Sequence, residues 1–189
     1  MKPINLILIG RSGSGKGTQA ELLVEYLGNI HYVSSGQLFR NLSTQETDIG
    51  RRTKVIVEEG GLPPDELAIA LWLHNIAYHV APEQGIIFDG APRKLDEARH
   101  LESILKFMDR FNDAKVLLIE ISKDEAVKRL KLRARNDDNV ETIKNRLDFY
   151  DEHVVKVVQY FESLDKLIKI NGEQSIKAIF EEIKRKLDI

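Results

Sequence analysis

Residues 10–18 read Gly10-Arg11-Ser12-Gly13-Ser14-Gly15-Lys16-Gly17-Thr18, directly after the run Ile4-Asn5-Leu6-Ile7-Leu8-Ile9. A nearly continuous apolar run of that length is expected of a strand buried on both faces. Gly10, Gly13 and Gly15 then let the backbone curl tightly, so that its N–H groups can face one anionic centre. The helix expected over residues 15–27, closed by Gly28, adds its positive N-terminal end. Lys16 supplies a point charge for the outer phosphates of a nucleotide. The stretch matches the pattern Gly-x-x-x-x-Gly-Lys. One departure is Gly17, where Ser or Thr is common; the hydroxyl arrives one place later, at Thr18. The candidate phosphate contacts are Gly13, Ser14, Gly15, Lys16, Gly17 and Thr18.

Outward from this loop, short β-rich runs alternate with amphipathic segments. Strands are expected at residues 31–33, 85–88, 115–121 and 167–170. Helices are expected at 34–42, 48–59, 65–80 and 95–108, with a last one ending near Leu187. Ser122-Lys123-Asp124-Glu125 has capping-box form. A long helix is expected to carry Ile143, Leu147, Val154, Val158 and Phe161 on one face. Strict alternation implies one α/β domain with a five-stranded parallel sheet between helices, and ligands at the carboxyl ends of the strands. Trp72 is expected in the core of its helix. The five histidines are scattered and read as structural or surface residues.

The composition narrows the function classes. Of 189 residues, 42% are hydrophobic, enough for one compact domain. The formal net charge of -2 argues against a polyanion-binding surface, so no nucleic-acid partner is expected. There is no cysteine, which excludes disulfides, thiolate catalysis and cysteine zinc sites. The N-terminal apolar run is too short for a signal-peptide core, and no run approaches a membrane span. A cytoplasmic protein without a membrane partner is the expectation.

The cations carry the chemistry further. Moving a phosphoryl group between two anionic tails is mainly positioning plus neutralisation of spread negative charge. Lys16, Arg40, Arg93, Arg129, Arg133, Arg135 and Arg146 lie at expected element ends or on one helix, and arginine's planar fork suits phosphate oxygens. Any one arginine alone reads more readily as a solvated surface residue. Arg129 and Arg133, spaced i, i+4, repel unless an anion sits between them.

Gly-x-x-Gly-x-Gly-Lys-Gly-Thr followed by Gln19-Ala20 resembles the adenylate kinase and nucleoside monophosphate kinase family. Four further stretches match it in order: Ser34-Ser35-Gly36-Gln37-Leu38-Phe39-Arg40, then Gly61-Leu62-Pro63-Pro64-Asp65. Next come Phe88-Asp89-Gly90-Ala91-Pro92-Arg93, and finally the set Arg129, Arg133, Arg135-Asn136-Asp137-Asp138 and Arg146. The resemblance covers essentially the whole chain. It implies a three-layer P-loop NTPase fold, with an acceptor-binding segment at 34–63 and a short lid at 129–139. It implies reversible transfer of the γ-phosphoryl group of ATP to AMP, giving two ADP. Ser35, Gly36, Arg40, Gly90, Arg93 and Glu97 would hold the monophosphate, while Arg133, Arg135 and Arg146 would grip the transferred group. Arg129 would stack on the donor base, and Asp137 and Asp138 would fix the lid arginines. Asp89 would orient Mg²⁺ through water; no zinc is expected. A monomer is expected, a small homo-oligomer being the alternative.

Three departures bear on the acceptor. Glu97 stands where adenylate kinases carry a Gln that reads the adenine edge, and a carboxylate only accepts hydrogen bonds. Gln37 replaces an Asp and Ala91 an aromatic. GMP, UMP or CMP as acceptor, or a broad acceptor range, is the alternative, although Ser35 keeps a hydroxyl where UMP/CMP kinases have Ala. Only Ala134 separates Arg133 from Arg135, so the lid is minimal. A nucleotide-switch reading finds no Asn/Thr-Lys-x-Asp motif and leaves the acceptor-side arginines without purpose.

Overall fold

The computed structural model describes residues 3–133 and 139–189. The notable lid residues Arg135, Asp137 and Asp138 lie outside them. Five strands form one parallel sheet in the order β2-β3-β1-β4-β5: β1 (Asn5–Ile9), β2 (Ile30–Ser34), β3 (Gly85–Asp89), β4 (Lys115–Glu120) and β5 (Leu167–Asn171). β1 is central, pairing with β3 through Ile7↔Phe88 and with β4 through Ile7↔Val116. Its alternation shows why the run is apolar throughout. Leu6 and Leu8 join one core with Ala20, Leu23, Ile179 and Ile183; Ile7 and Ile9 join the other with Trp72, Phe88 and Phe161. Each Leu, Ile or Phe buried in this way stabilises the fold by about 1.5–3 kcal/mol.

The helices are α1 (Lys16–Leu27), α2 (Ser35–Ser43), α3 (Asp48–Glu58), α4 (Asp65–His79), α5 (Leu95–Phe107), α6 (Lys123–Arg133), α7 (Val140–Phe149), α8 (Val155–Ser163) and α9 (Ile176–Leu187). α1 and α9 cover one face of the sheet, while α4, α5 and α8 cover the other. α6 and α7 share a small core of their own, with Ala126, Leu130, Ile143 and Leu147 beside Ile121. Trp72 is buried, as its sequence context implies.

Local details differ from the sequence expectation. Ser34 ends β2 and caps α2 instead of starting it, because its Oγ accepts from the Gln37 N–H. The Ser122–Glu125 box is only half made. Ser122 Oγ accepts from the Glu125 N–H (3.3 Å), but the return bond comes from elsewhere, with Glu173 Oε1 accepting from the Ser122 N–H (2.6 Å). Glu125 is diverted by Arg129, whose Nε donates to it at 2.7 Å. The long helix is interrupted by a π turn, Tyr150–Val154. Around it Tyr150, Val154, Val157 and Phe161 carry the buried face at alternating spacings of four and three. Val158, expected there, is only half-buried.

Candidate active site

Just past the carboxyl end of β1 the chain enters the glycine loop. Gly13 (φ 86°) and Gly15 (φ 90°) occupy left-handed conformations that a side chain would strain. Gly15 is the N-cap of α1 and has no side chain to obstruct an anion there. Lys16 Nζ folds back over the loop and donates to Gly10 O (2.8 Å) and Arg11 O (3.0 Å). Burial lowers its pKa to about 8 against the opposing pull of Asp89, with Arg93 and Arg133 pushing it down further. Gly13, Gly15, Lys16, Gly17 and Thr18 line the cleft. Ser14 does not: it is fully buried, and its N–H closes a turn onto Arg11 O (3.1 Å). A Cβ at Gly17 would meet Asp89 Oδ2 at 3.6 Å, an ordinary contact, so space alone does not require glycine there.

β3 delivers the next group. Asp89 is its last residue, and Tyr32, on neighbouring β2, donates from its hydroxyl to Asp89 Oδ2 at 2.8 Å. Burial raises the Tyr32 pKa, as does the adjacent Asp89 carboxylate. The phenol therefore remains a donor throughout the working pH range. The chain then turns at Gly90 (φ 74°), passes the cis Ala91–Pro92 bond and reaches Arg93.

Arg93 is held from three directions. Its Nε donates to Gly90 O (2.6 Å), its Nη2 to Ser35 Oγ (3.2 Å), and its backbone N–H to Glu97 Oε2 (3.1 Å). Ser35 Oγ in turn donates to Gly90 O at 2.6 Å. Burial lowers the Arg93 pKa, while Glu97 and Asp89 support its charge. Glu97 is only 4% exposed, with Oε2 turned to the Arg93 N–H. Burial raises its pKa, countered by the Arg93 N–H and charge. Ser35 is likewise buried. Arg40 reaches the cleft from α2, where its Nη2 donates to Gln37 Oε1 (3.0 Å), and Gln37 Nε2 donates to Asn41 Oδ1 (2.7 Å). Gln37 thus steadies Arg40 without adding charge.

One cleft of about 710 Å³ collects these groups. Lys16, Arg40, Arg93, Arg129, Arg133 and Arg146 line it, facing only two carboxylates among the described residues, Glu21 and Asp89. Of the expected nucleotide-contacting residues that the structure describes, all but Ser14, Ser35 and Glu97 line this cleft; Arg135 lies outside the described residues. Arg129 and Arg133 both face the cleft, and Glu125 partly screens Arg129 (2.7 Å). Sequence reasoning did not single out Tyr32, Arg11 or Tyr150. Arg11 Nη2 pairs with Asp151 Oδ1 at 2.8 Å, and its guanidinium lies 4.3 Å from the Tyr150 ring centroid. Tyr32 could have been found by its place on the strand leading into Ser34-Ser35-Gly36; the other two carry no local signal. An arrangement of this kind can hold two phosphate chains end to end from opposite rims.

Comparison with known proteins agrees with this geometry. The sequence profile of the family described as adenylate kinase matches residues 8–166. An adenylate kinase of Parabacteroides distasonis is 37% identical over 186 residues, 96% of each chain. One from Azobacteroides pseudotrichonymphae is 35% identical over 189 residues, covering 98% of this chain and 97% of that one. Another, from Prochlorococcus marinus strain AS9601, is 36% identical over 183 residues, covering 97% and 98% respectively.

Proposed function

The chain belongs to the adenylate kinase family, and on that premise we propose that it transfers the γ-phosphoryl group of ATP reversibly to AMP, giving two ADP. The observation that carries this reading is the ring of six cations around one cleft, spread over both rims. A protein holding a single nucleotide would need only the loop-side cations. Arg40 and Arg93, on the far rim, give a second phosphate a place to bind.

In the reaction an oxygen of the AMP phosphate attacks the γ-phosphorus, and the bond from that phosphorus to the β–γ bridging oxygen breaks. Lys16 and the loop amides hold the donor's phosphates, and Arg40 and Arg93 hold the acceptor's. Arg133 and Arg146 meet the group in transit, joined by Arg135. Arg129 stacks on the donor base. Such charge-assisted contacts neutralise the oxygens on which charge spreads. Glu97 Oε2 is taken by the Arg93 N–H, so Oε1 is the oxygen left to meet an amino group of the acceptor base.

Magnesium fits this donor set. Asp89 sits across from Lys16 and is held on one oxygen by Tyr32. Among the described residues no group of three or more acidic or imidazole side chains could hold a metal unaided. One carboxylate, acting through water and completed by phosphate oxygens, is the coordination Mg²⁺ accepts. When bound, the ion neutralises charge on the outer phosphates. The reading carries with it a cytoplasmic setting and a single-chain enzyme; no helix among the described residues is long and apolar enough to cross a membrane.

A panel of AMP, GMP, UMP and CMP assayed with MgATP tests the acceptor. AMP is expected to give the highest kcat/KM, in line with the names of the relatives. A preference for another monophosphate would overturn that specificity. A dinucleotide with both nucleosides joined by five phosphates should bind tightly, and its failure to compete would sink the two-nucleotide reading.

A further inference from the structure

We propose that Arg11 is a positioning residue that couples the lysine of the phosphate loop to the helix bearing Arg146. Arg11 occupies one of the variable positions of Gly-x-x-x-x-Gly-Lys, so the motif assigns it nothing. Its two ends nevertheless do different work. Its carbonyl oxygen accepts from Lys16 Nζ at 3.0 Å, sharing that ammonium with Gly10 O at 2.8 Å. Its side chain leaves the loop and crosses to the π turn that follows α7. There the guanidinium lies over the Tyr150 ring, 4.3 Å from its centroid, and Nη2 donates to Asp151 Oδ1 at 2.8 Å.

The receiving end is fixed in its turn. Lys123, at the start of α6, donates to Asp151 Oδ2 (3.4 Å) and to Asp148 Oδ1 (3.2 Å). Tyr150 follows Arg146 by four residues, so the two share a helix face, and both line the cleft. Moving Asp151 away from Arg11 therefore moves the Arg146 face relative to Lys16.

An exposed ion pair usually contributes little. Here Asp151 is exposed, at 42%, but the arginine is sheltered. The Arg11 side chain is only 22% exposed, and its Nε is buried without a hydrogen-bond partner. Stacking and pairing hold the guanidinium there despite that uncompensated donor. A planar guanidinium stacked on one group and paired with another has little orientational freedom. It can therefore transmit position, which a solvated lysine could not.

The inference rests on the roles given above to Lys16 and Arg146, and the test separates the two. Steady-state kinetics are measured for Arg11→Ala, Arg11→Lys, Asp151→Ala, the Arg11→Ala/Asp151→Ala pair and Arg146→Ala. Arg11→Ala is expected to lower kcat about tenfold while KM for AMP stays within about twofold, since sub-ångström misplacement acts on the chemical step. Asp151→Ala should behave alike, and the double variant should be no worse than the poorer single one. Arg11→Lys should recover part of the loss, keeping the charge but not the stack. Melting temperatures should stay close to that of the parent. If Arg11→Ala melts below the assay temperature, Arg11→Met, which keeps the stem over Tyr150, should show the same kcat loss. Losses that multiply in the double variant would overturn the coupling, as would Arg11→Ala with parental kcat beside a strongly impaired Arg146→Ala. Full turnover in Arg146→Ala would overturn the proposal at its premise.

Discussion

The two rims of the cleft are built on different principles. On the donor rim, one continuous stretch of chain makes the site: β1 ends, the backbone coils through Gly13 and Gly15, and α1 begins at Lys16. Its donors are mostly main-chain groups, and Lys16 bonds back to loop carbonyls. On the acceptor rim, no single stretch suffices. Ser35 comes from the start of α2, Gly90 and Arg93 from the turn after β3, Glu97 from α5, and Gln37 and Arg40 from α2. Their Ser35–Gly90–Arg93–Glu97 network exists only once β2 and β3 are side by side, with Ser34 opposite Asp89. A loop made of backbone keeps its N–H donors when a side chain changes. A network of side chains transmits each change to its neighbours.

Lys16→Met should produce the largest effect. Removing a preorganised cation from the developing charge is expected to lower kcat by about 10³-fold or more in a coupled ADP assay. The fold itself should gain. The folded pKa of Lys16 is depressed, so holding the charged form destabilises the protein below about pH 8, and this cost fades as pH rises further. The nucleotide-free variant should therefore melt higher than the parent at neutral pH. A lower melting temperature would contradict the buried-charge account.

Arg93→Ala comes next. Losing it deprives Gly90 O and Ser35 Oγ of their guanidinium bonds as well as removing the proposed acceptor clamp. KM for AMP should rise about 10- to 100-fold, with KM for ATP changed far less. Equal rises for both substrates would mean that the rims are not separate. The reciprocal signature belongs to pH. As pH rises through about 8 the free enzyme loses the Lys16 proton. The value of kcat/KM for ATP should then be level below that point and fall about tenfold per unit above it. A level profile to about pH 9.5 would show that the loop does not depend on that charge.

Glu97→Gln should have the smallest effect. The amide oxygen can still accept from the Arg93 N–H, while the new N–H₂ can donate to the ring nitrogen of adenine. The AMP-to-GMP ratio of kcat/KM is expected to rise about threefold, within the range of a single imperfect hydrogen bond. No change in that ratio would confine Glu97 to supporting Arg93.

Much of this molecule could be read before its coordinates. The five strands, the helices between them, the burial of Trp72 and the cation-rich cleft follow from periodicity and from motifs in order. The errors cluster where a local signal met a distant competitor. Ser122 has the form of a capping box, yet Glu173, 51 residues on, supplies the return bond because Arg129 claims Glu125. Glu97 and Ser35, expected to hold the monophosphate, also bond the turn that presents Arg93, a role that no local signal announces. Tyr32–Asp89 spans 57 residues, Ser35–Arg93 58 and Arg11–Asp151 140. No pattern in a window of chain encodes such pairs.

The phosphate loop needed only its own nine residues, since glycine dihedrals and a helix start are local properties of the backbone. Which side chains line the cleft, and which hold them in place, was decided by the packing of β2 against β3 and of the π turn against the loop. Side-chain direction over such distances is set by what else fills the space, and only the folded chain contains that information.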